Sequence, residues 1–145
     1  MKYIKVDKDF VLNDEQFIKR CDHLWFHWER VSSDEQDAEH KKQDEGNLDF
    51  IKQVAPSVRE FFDKHAKRVS PKSKLTRSTY GVKHIFQKLC QSEPEYDGRG
   101  FYSTERAFVL IMLEAGLDVY KFVDGNNWFY IAPYSFRRRR KSRFF

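Results

Sequence analysis

The second half of the chain carries local signals in an order that few folds accommodate. Apolar residues at helical spacing predict one helix over residues 78–90 and another over residues 103–115. Gly116 can end the second helix in the left-handed conformation. Two β-rich runs, 118–123 and 128–132, follow, and the Asp-Gly-Asn-Asn sequence between them tolerates the backbone angles of a tight hairpin. The sequence therefore predicts helix, turn, helix and hairpin.

That order is characteristic of winged-helix modules, in which the second helix enters the DNA major groove and the hairpin contacts the backbone nearby. Ser103, Thr104 and Arg106, at the start of this helix, are candidates for phosphate contacts. Ser103 is equally a plain helix cap. The helix body, 107–113, is apolar all round, which favours burial in a core or a dimer interface over base reading.

The first half is predicted to be mainly helical. Residues 1–12 alternate imperfectly and suit a short edge strand or an extended lead-in. A capping pair at Asn13 and Gln16 and an apolar stripe predict a helix over residues 14–31. Residues 32–46 are rich in acids and lack large apolar side chains, so they predict a mobile acidic loop.

Asn47 can cap a further helix, which Pro56 should kink or divide into two. Residues 68–74 lack apolar periodicity and mark the boundary between the two halves. The buried face of the helix that follows Asn47 is predicted to hold Leu48, Ile51, Val54, Val58, Phe61 and Phe62.

We expect a single α+β domain over residues 1–135, helical through residue 70 and winged-helix-like over 75–135, followed by a basic tail at 136–145. At 145 residues and 40% hydrophobic content the chain can bury a substantial core. The longest apolar run is too short to cross a membrane, and charges interrupt the start of the chain, so a soluble cytoplasmic protein is expected. Cys21 and Cys90 lack paired spacing and suit reduced thiols.

The tail holds six positive charges and no negative one. Removing those six from the formal net charge of +5 leaves residues 1–135 at −1, so the basic character of the chain belongs largely to its end. Clustered guanidinium groups bind phosphate oxygens in pairs and release counterions, which gives salt-sensitive affinity without base reading. The charged residues are Arg137, Arg138, Arg139, Arg140, Lys141 and Arg143.

The tail is also compatible with roles other than nucleic-acid binding. Its flanking residues Phe136, Phe144 and Phe145 can stack on unpaired bases, dock on the body of the protein, or enter a membrane surface beside anionic lipids. A solvated tail and a protein partner are further alternatives, but a nucleic acid is the partner that the charge favours.

Tyr80, Lys83 and His84 share one side of the predicted helix, close to Arg77. This donor-rich cluster can clamp a phosphate. It can also act as acid and base, but no nucleophile, carboxylate or metal ligand with diagnostic spacing accompanies it, so we expect no enzyme. A structural role, with Tyr80 packed and Lys83 solvated, is the competing interpretation.

No metal or cofactor is expected. His23 and His27 have the separation of a metal clamp on a helix, with Cys21 close by, but no second ligand pair follows. Phosphate-binding glycine loops and calcium loops are absent from the sequence.

Two segments resemble small phage-encoded proteins of unassigned function. The first is Ser-Thr-Tyr-Gly-Val-Lys-His at 78–84, and the second is Phe-Tyr-Ser-Thr at 101–104, which leads into an apolar helix that closes with Ala115-Gly116. The resemblance covers residues 77–132; Glu105-Arg106 departs from it, and the N-terminal half and the tail have no counterpart in it. It implies a viral accessory protein and supplies no catalytic residues.

Two hypotheses follow. The first is a nonenzymatic phage protein that binds DNA or RNA chiefly through phosphates, with the tail dominant and Arg77, Lys83 and Arg106 making secondary contacts. The second is an anti-defence inhibitor of the anti-CRISPR type, which binds a host nucleoprotein complex and imitates phosphate with its acidic 32–46 segment. The all-round apolar helix is also compatible with a homodimer.

Overall fold

The computed structural model describes residues 1–21, 24, 26–27, 33–92 and 102–136. Within these ranges it is an α+β protein with an antiparallel four-stranded sheet. The elements in chain order are β1 (Lys2–Lys5), α1 (Lys8–Asn13), α2 (Glu15–Arg20), β2 (Phe26–His27), α3 (Ser33–His65), β3 (Ala66–Arg68), β4 (Arg77–Ser78), α4 (Thr79–Ser92), β5 (Tyr102–Ser103), α5 (Glu105–Glu114), β6 (Tyr120–Asp124), β7 (Asn127–Ala132) and β8 (Tyr134–Phe136).

The sheet has the strand order β1-β6-β7-β4, and each pair of neighbouring strands in it is antiparallel. Its centre is the predicted hairpin, which is confirmed: β6 and β7 pair from Tyr120 and Ile131 to Asp124 and Asn127. Gly125 in the turn has a φ of 62°, a conformation that costs glycine little because it has no Cβ. Of the two alternatives for residues 1–12, the edge strand is present over Lys2–Lys5, where β1 pairs with β6 at one end of the strand order.

The two halves of the sequence are interlocked in the fold. Strand β1 adds to the hairpin, and β3, from the end of the N-terminal half, pairs with β8 at the end of the C-terminal half. A second two-stranded pair joins β2 to β5. The halves therefore share sheets and a core.

Helix α5 lies at the centre of the core, packed against α1, α3 and α4. Seven consecutive residues, Arg106–Met112, are buried, which confirms the expected burial of the apolar helix body and explains why it is apolar on every side. The Thr104 side chain accepts a hydrogen bond from the Ala107 N–H at the helix start. Gly116 follows the helix with a φ of 80°, as predicted.

Helix α3 corrects three predictions. It runs from Ser33 through Pro56 to His65. Residues 33–46 are therefore helical and not a loop, no second helix begins at Asn47, and Pro56 does not divide the helix. The absence of apolar residues was misleading because a polar segment rich in Glu, Gln and Lys can form a solvated helix. The predicted buried face is confirmed from Ile51 to Phe62, but Leu48 is 50% exposed.

The helix predicted over 14–31 is much shorter. Helix α2 ends at Arg20, and β2 pairs with β5 a few residues later, so tertiary pairing overrides the helical spacing. Asp14 caps α2 by accepting a hydrogen bond from the Gln16 N–H, in place of the predicted Asn13. Helix α1, which Asp7 caps, was missed because residues 8–13 had been assigned to a strand or lead-in.

Phe136, grouped with the tail by its sequence position, belongs to the folded body. It forms the end of β8, and its ring centroid lies 5.9 Å from that of Phe61 and 5.3 Å from that of Phe62. Phe61 in turn makes an edge contact with the buried ring of Phe86. The tail therefore starts after Phe136. No helix in the described part of the chain has both the length and the apolar character needed to cross a membrane.

Candidate nucleic-acid interface

Residues 64–92 contain eight lysines and arginines and no aspartate or glutamate. We call this stretch the basic segment. It comprises the end of α3, strand β3, a loop at 69–76, strand β4 and helix α4. Sequence reasoning missed it because charge was counted over the tail and over residues 1–135 as a whole, so the acidic residues on either side diluted the signal. The segment gives the folded body a positive charge that the net value of −1 for residues 1–135 conceals.

Most of these cations face the solvent. Lys83 alone among the eight is buried, at 8% exposure. Arg68 is exposed but forms a 3.0 Å ion pair with Asp118 across the neighbouring strands. The seven exposed cations are Lys64, Lys67, Arg68, Lys72, Lys74, Arg77 and Lys88.

The loop at 69–76 is held in shape by its own hydroxyl groups. Ser70 Oγ accepts from the Lys72 N–H at 3.2 Å, and Ser73 Oγ accepts from the Leu75 N–H at 3.0 Å. The Thr76 hydroxyl donates to the Ser70 carbonyl at 2.7 Å, which closes the loop across six residues. These bonds are typical of serine-rich turns. The loop therefore presents Lys72 and Lys74 from a defined backbone.

Helix α4 presents an exposed face with both charge and aromatic character. Tyr80, His84 and Lys88 are exposed and recur every fourth residue, and Arg77 lies one turn before them. The Tyr80 and His84 rings meet edge to face at 4.4 Å. Partial burial lowers the pKa of His84, and the charge of Lys83 lowers it further. His84 is therefore neutral near pH 7 and can donate or accept a hydrogen bond without adding charge.

The predicted cluster of Tyr80, Lys83 and His84 is only partly assembled. Tyr80 is 54% exposed, not packed, and it contacts His84. Lys83 is buried, not solvated: its Nζ lies 5.1 Å from the Tyr80 ring centroid and donates to the Ser103 carbonyl at 3.1 Å. Burial lowers the pKa of Lys83, although the charge of Glu105 opposes this shift. The Lys83 ammonium group is directed into the protein.

The three candidates at the start of α5 are engaged within the body. Arg106 is 6% exposed, and its Nη2 donates to the Leu12 carbonyl at 3.1 Å. Ser103 is buried in β5, and Thr104 caps the helix. Their sequence positions suggested a helix end open to phosphate, whereas pairing of β5 with β2 covers that end. Of the five candidates predicted outside the tail, Arg77 is exposed and Thr104 is half-buried. The other three, Lys83, Ser103 and Arg106, are buried.

The six tail residues Arg137, Arg138, Arg139, Arg140, Lys141 and Arg143 lie outside the described residues. Their point of attachment is described. Phe136 pairs with Ala66 in β3, two residues from Lys64 and one from Lys67. Because adjacent Cα atoms are about 3.8 Å apart, the tail begins beside the basic segment.

A network of polar side chains connects the elements behind this surface. Arg20 forms a 3.3 Å ion pair with Glu105, and the Thr79 hydroxyl donates to the other Glu105 oxygen at 2.9 Å. These contacts link α2, α4 and α5. Each polar group has a partner in the network, so we assign it a structural role.

No group of three potential metal ligands occurs among the described residues. Of the histidine pair considered above, His23 lies outside them, and nothing is described of the His27 side chain. Cys21 and Cys90 form no disulfide. Comparison of the chain with protein-family models, curated proteins and solved structures finds no match.

Proposed function

We propose that this protein is a nonenzymatic phage accessory protein that binds nucleic acid chiefly through phosphate contacts. The observation that carries the proposal is the basic segment, a run of 29 residues without an acid, seven of whose cations are exposed on the folded body. Such a surface attracts a polyanion, and each phosphate neutralised releases condensed counterions. Its basic character is independent of the tail.

The tail extends this surface. It follows β8, which pairs with β3, so it is joined to the folded body near Lys64 and Lys67. Its six positive charges increase the number of phosphates that one molecule can contact. We expect the tail to supply most of the affinity and the basic segment to supply a weaker contact on the folded body.

A winged-helix-like arrangement of residues 75–135 remains part of the proposal. The order β4, α4, α5, β6, β7 and the pairing of β4 with β7 support it. Insertion of α5 into the major groove is not included, because the helix is enclosed by α1, α3 and α4. That enclosure within a single chain also removes the reason for expecting a homodimer. Contacts are instead assigned to the loop at 69–76 and the exposed face of α4, with little sequence discrimination.

The phage origin and the host cytoplasm as the site of action remain proposals. The resemblance of residues 77–132 to phage proteins supports the first. The second is supported by the sequence, in which Cys21 and Cys90 lack the paired spacing of a disulfide framework.

An anti-defence inhibitor that binds a host nucleoprotein complex is the second candidate. One observation favours it: the acidic segment between residues 34 and 45 belongs to helix α3 and is not a loop. A helical segment rich in acids can imitate the negative charge of a phosphate backbone. An inhibitor of this type should have little affinity for nucleic acid itself, which separates the two candidates.

Fluorescence anisotropy with labelled duplex and single-stranded oligonucleotides tests the proposal. The informative variant replaces Lys72, Lys74 and Arg77 by glutamine, and the matched control replaces the exposed residues Lys2, Lys19 and Lys52. Both variants lose three charges. We expect the first to bind at least tenfold more weakly than the control at the same salt concentration, because local phosphate contacts are lost. Equal affinities for the two variants, or no binding by the wild-type protein at low salt, would contradict the proposal.

A further inference from the structure

Three aromatic side chains form a row across one face of the sheet. Tyr3 in β1 lies opposite Phe122 in β6, which lies opposite Phe129 in β7. The ring centroids of Tyr3 and Phe122 are 5.1 Å apart, and those of Phe122 and Phe129 are 4.9 Å apart. We call these three residues the aromatic ladder. They make a continuous π surface that spans three strands.

The aromatic ladder faces away from the core. Side chains alternate between the faces of a strand, and the neighbouring residues Lys121 and Tyr130 are buried against α2 and its cap. Phe129 is 41% exposed, and Tyr3 and Phe122 are partly exposed. A cross-strand ladder stabilises a sheet without needing solvent access. The exposure of these rings therefore leaves their faces and edges available to a ligand.

Positive charge surrounds the ladder. Lys72, from the hydroxyl-braced loop of the basic segment, places its Nζ 5.9 Å from the Tyr3 ring centroid. Lys5 follows Tyr3 on the same face of β1. Two carboxylates are nearby: Asp118, which pairs with Lys5 at 3.4 Å and with Arg68, and Asp124 at the hairpin end. Lys5, Arg68 and Lys72 together outnumber these two carboxylates, and Lys72 is the cation that lies against a ring of the ladder.

We propose that the aromatic ladder stacks unpaired bases, so that single-stranded nucleic acid is the preferred ligand of this protein. Exposed aromatic rings next to a basic groove are the combination by which proteins bind single strands, because every base has a π face and every nucleotide has a phosphate. In a duplex the bases are already stacked on one another and cannot reach the rings. This inference rests on the proposed phosphate binding and adds the class of nucleic acid to it.

The experiment compares single-stranded DNA, single-stranded RNA and duplex DNA of one sequence, by anisotropy at fixed salt. The informative variants are Phe129→Leu, which keeps an apolar side chain but removes the ring, and Phe129→Ala. The control is Leu48→Ala, which removes an exposed apolar side chain from α3, outside the basic segment and the aromatic ladder. We expect both Phe129 variants to bind the single strands about tenfold more weakly, with duplex binding and the control unchanged.

A second measurement uses the wild-type protein and therefore tests the inference even if the Phe129 variants fold poorly. Photocrosslinking of the wild-type protein to an iodouracil-containing single strand should label peptides that contain Tyr3, Phe122 or Phe129. Crosslinks confined to the basic segment and the tail would overturn the inference. Unchanged single-strand affinity in folded Phe129 variants would also overturn the inference. In that case, salt-dependent binding of the protein to both single strands and duplex would still support the proposed function. If the wild-type protein binds none of these nucleic acids, both this inference and the proposed function are overturned.

Discussion

Asp14 and Lys121 form an ion pair of 2.9 Å, although each side chain is only 6% exposed. The Tyr130 hydroxyl donates to the same Asp14 oxygen at 2.6 Å, and Lys121 also donates to Gln16 at 2.6 Å. Asp14 simultaneously caps α2. One carboxylate thus ties a helix to the two central strands of the sheet, on the face opposite the aromatic ladder.

Replacing Asp14 should destabilise the protein strongly. Asp14→Asn leaves the Lys121 ammonium buried without its counter-charge, and breaking a buried pair from one side costs about 3–5 kcal/mol. The control is Asp63→Asn, which removes the exposed Arg59–Asp63 pair on α3 and should cost no more than about 0.5 kcal/mol. Urea unfolding of both variants measures the difference. Similar small losses in the two would show that the buried pair is not a major support of the fold.

The same carboxylate should make stability fall in acid. Burial acts to raise the pKa of Asp14, but hydrogen bonds from Tyr130 and Lys121 and the charge of Lys121 outweigh it, so the pKa is lowered. The contribution is therefore fully present above the unfolded-state pKa of about 3.9 and is lost as the pH falls through the lower folded-state value. Unfolding free energies measured across this range should show a slope that Asp14→Asn reduces. An unchanged slope in the variant would assign acid sensitivity to other groups.

Substitutions of Thr104 test whether this residue, at the start of α5, has a structural role or binds nucleic acid. Thr104→Ala removes the acceptor for the Ala107 N–H and should lower the free energy of unfolding by about 1 kcal/mol, whereas Thr104→Ser should retain most of it. Thermal unfolding and oligonucleotide anisotropy are measured on all three proteins. Nucleic-acid affinity should be the same in each. A tenfold loss of affinity in the folded alanine variant would restore Thr104 to the interface.

Sequence signals predicted those parts of the fold that depend on residues close together in the chain. Helices α4 and α5, the glycine after α5 and the β6–β7 hairpin follow from apolar spacing and turn residues within a few positions of each other. Strand β5 and the early end of α2 depend instead on pairing between residues far apart in the sequence, such as Phe26 and Ser103, which are 77 positions apart. Spacing along the sequence does not contain that information. The helix at the acidic segment was missed for a different reason, because solvated helices lack an apolar stripe.

The candidate site was predicted only in part. Arginines in the tail and Arg77 could be named from composition, but the burial of Lys83, Ser103 and Arg106 depends on how β5 and α5 pack. The acid-free stretch from Lys64 to Ser92 was present in the sequence and could have been found by scanning charge in shorter windows. The aromatic ladder could not, because its members come from three strands and meet only through the register of the sheet.

The salt dependence of binding tests the central claim most directly. The measurement is the slope of log affinity against log salt concentration for the full chain and for a chain that ends at Phe136, with the same duplex and single-stranded oligonucleotides. Each phosphate contact contributes about −0.9 to the slope on duplex DNA and about −0.7 on a single strand. We predict a steep slope for the full chain, and for the shortened chain a loss of most of the affinity with a shallower slope that the basic segment maintains. Equal slopes for the two chains, or affinity that does not change with salt, would contradict the account.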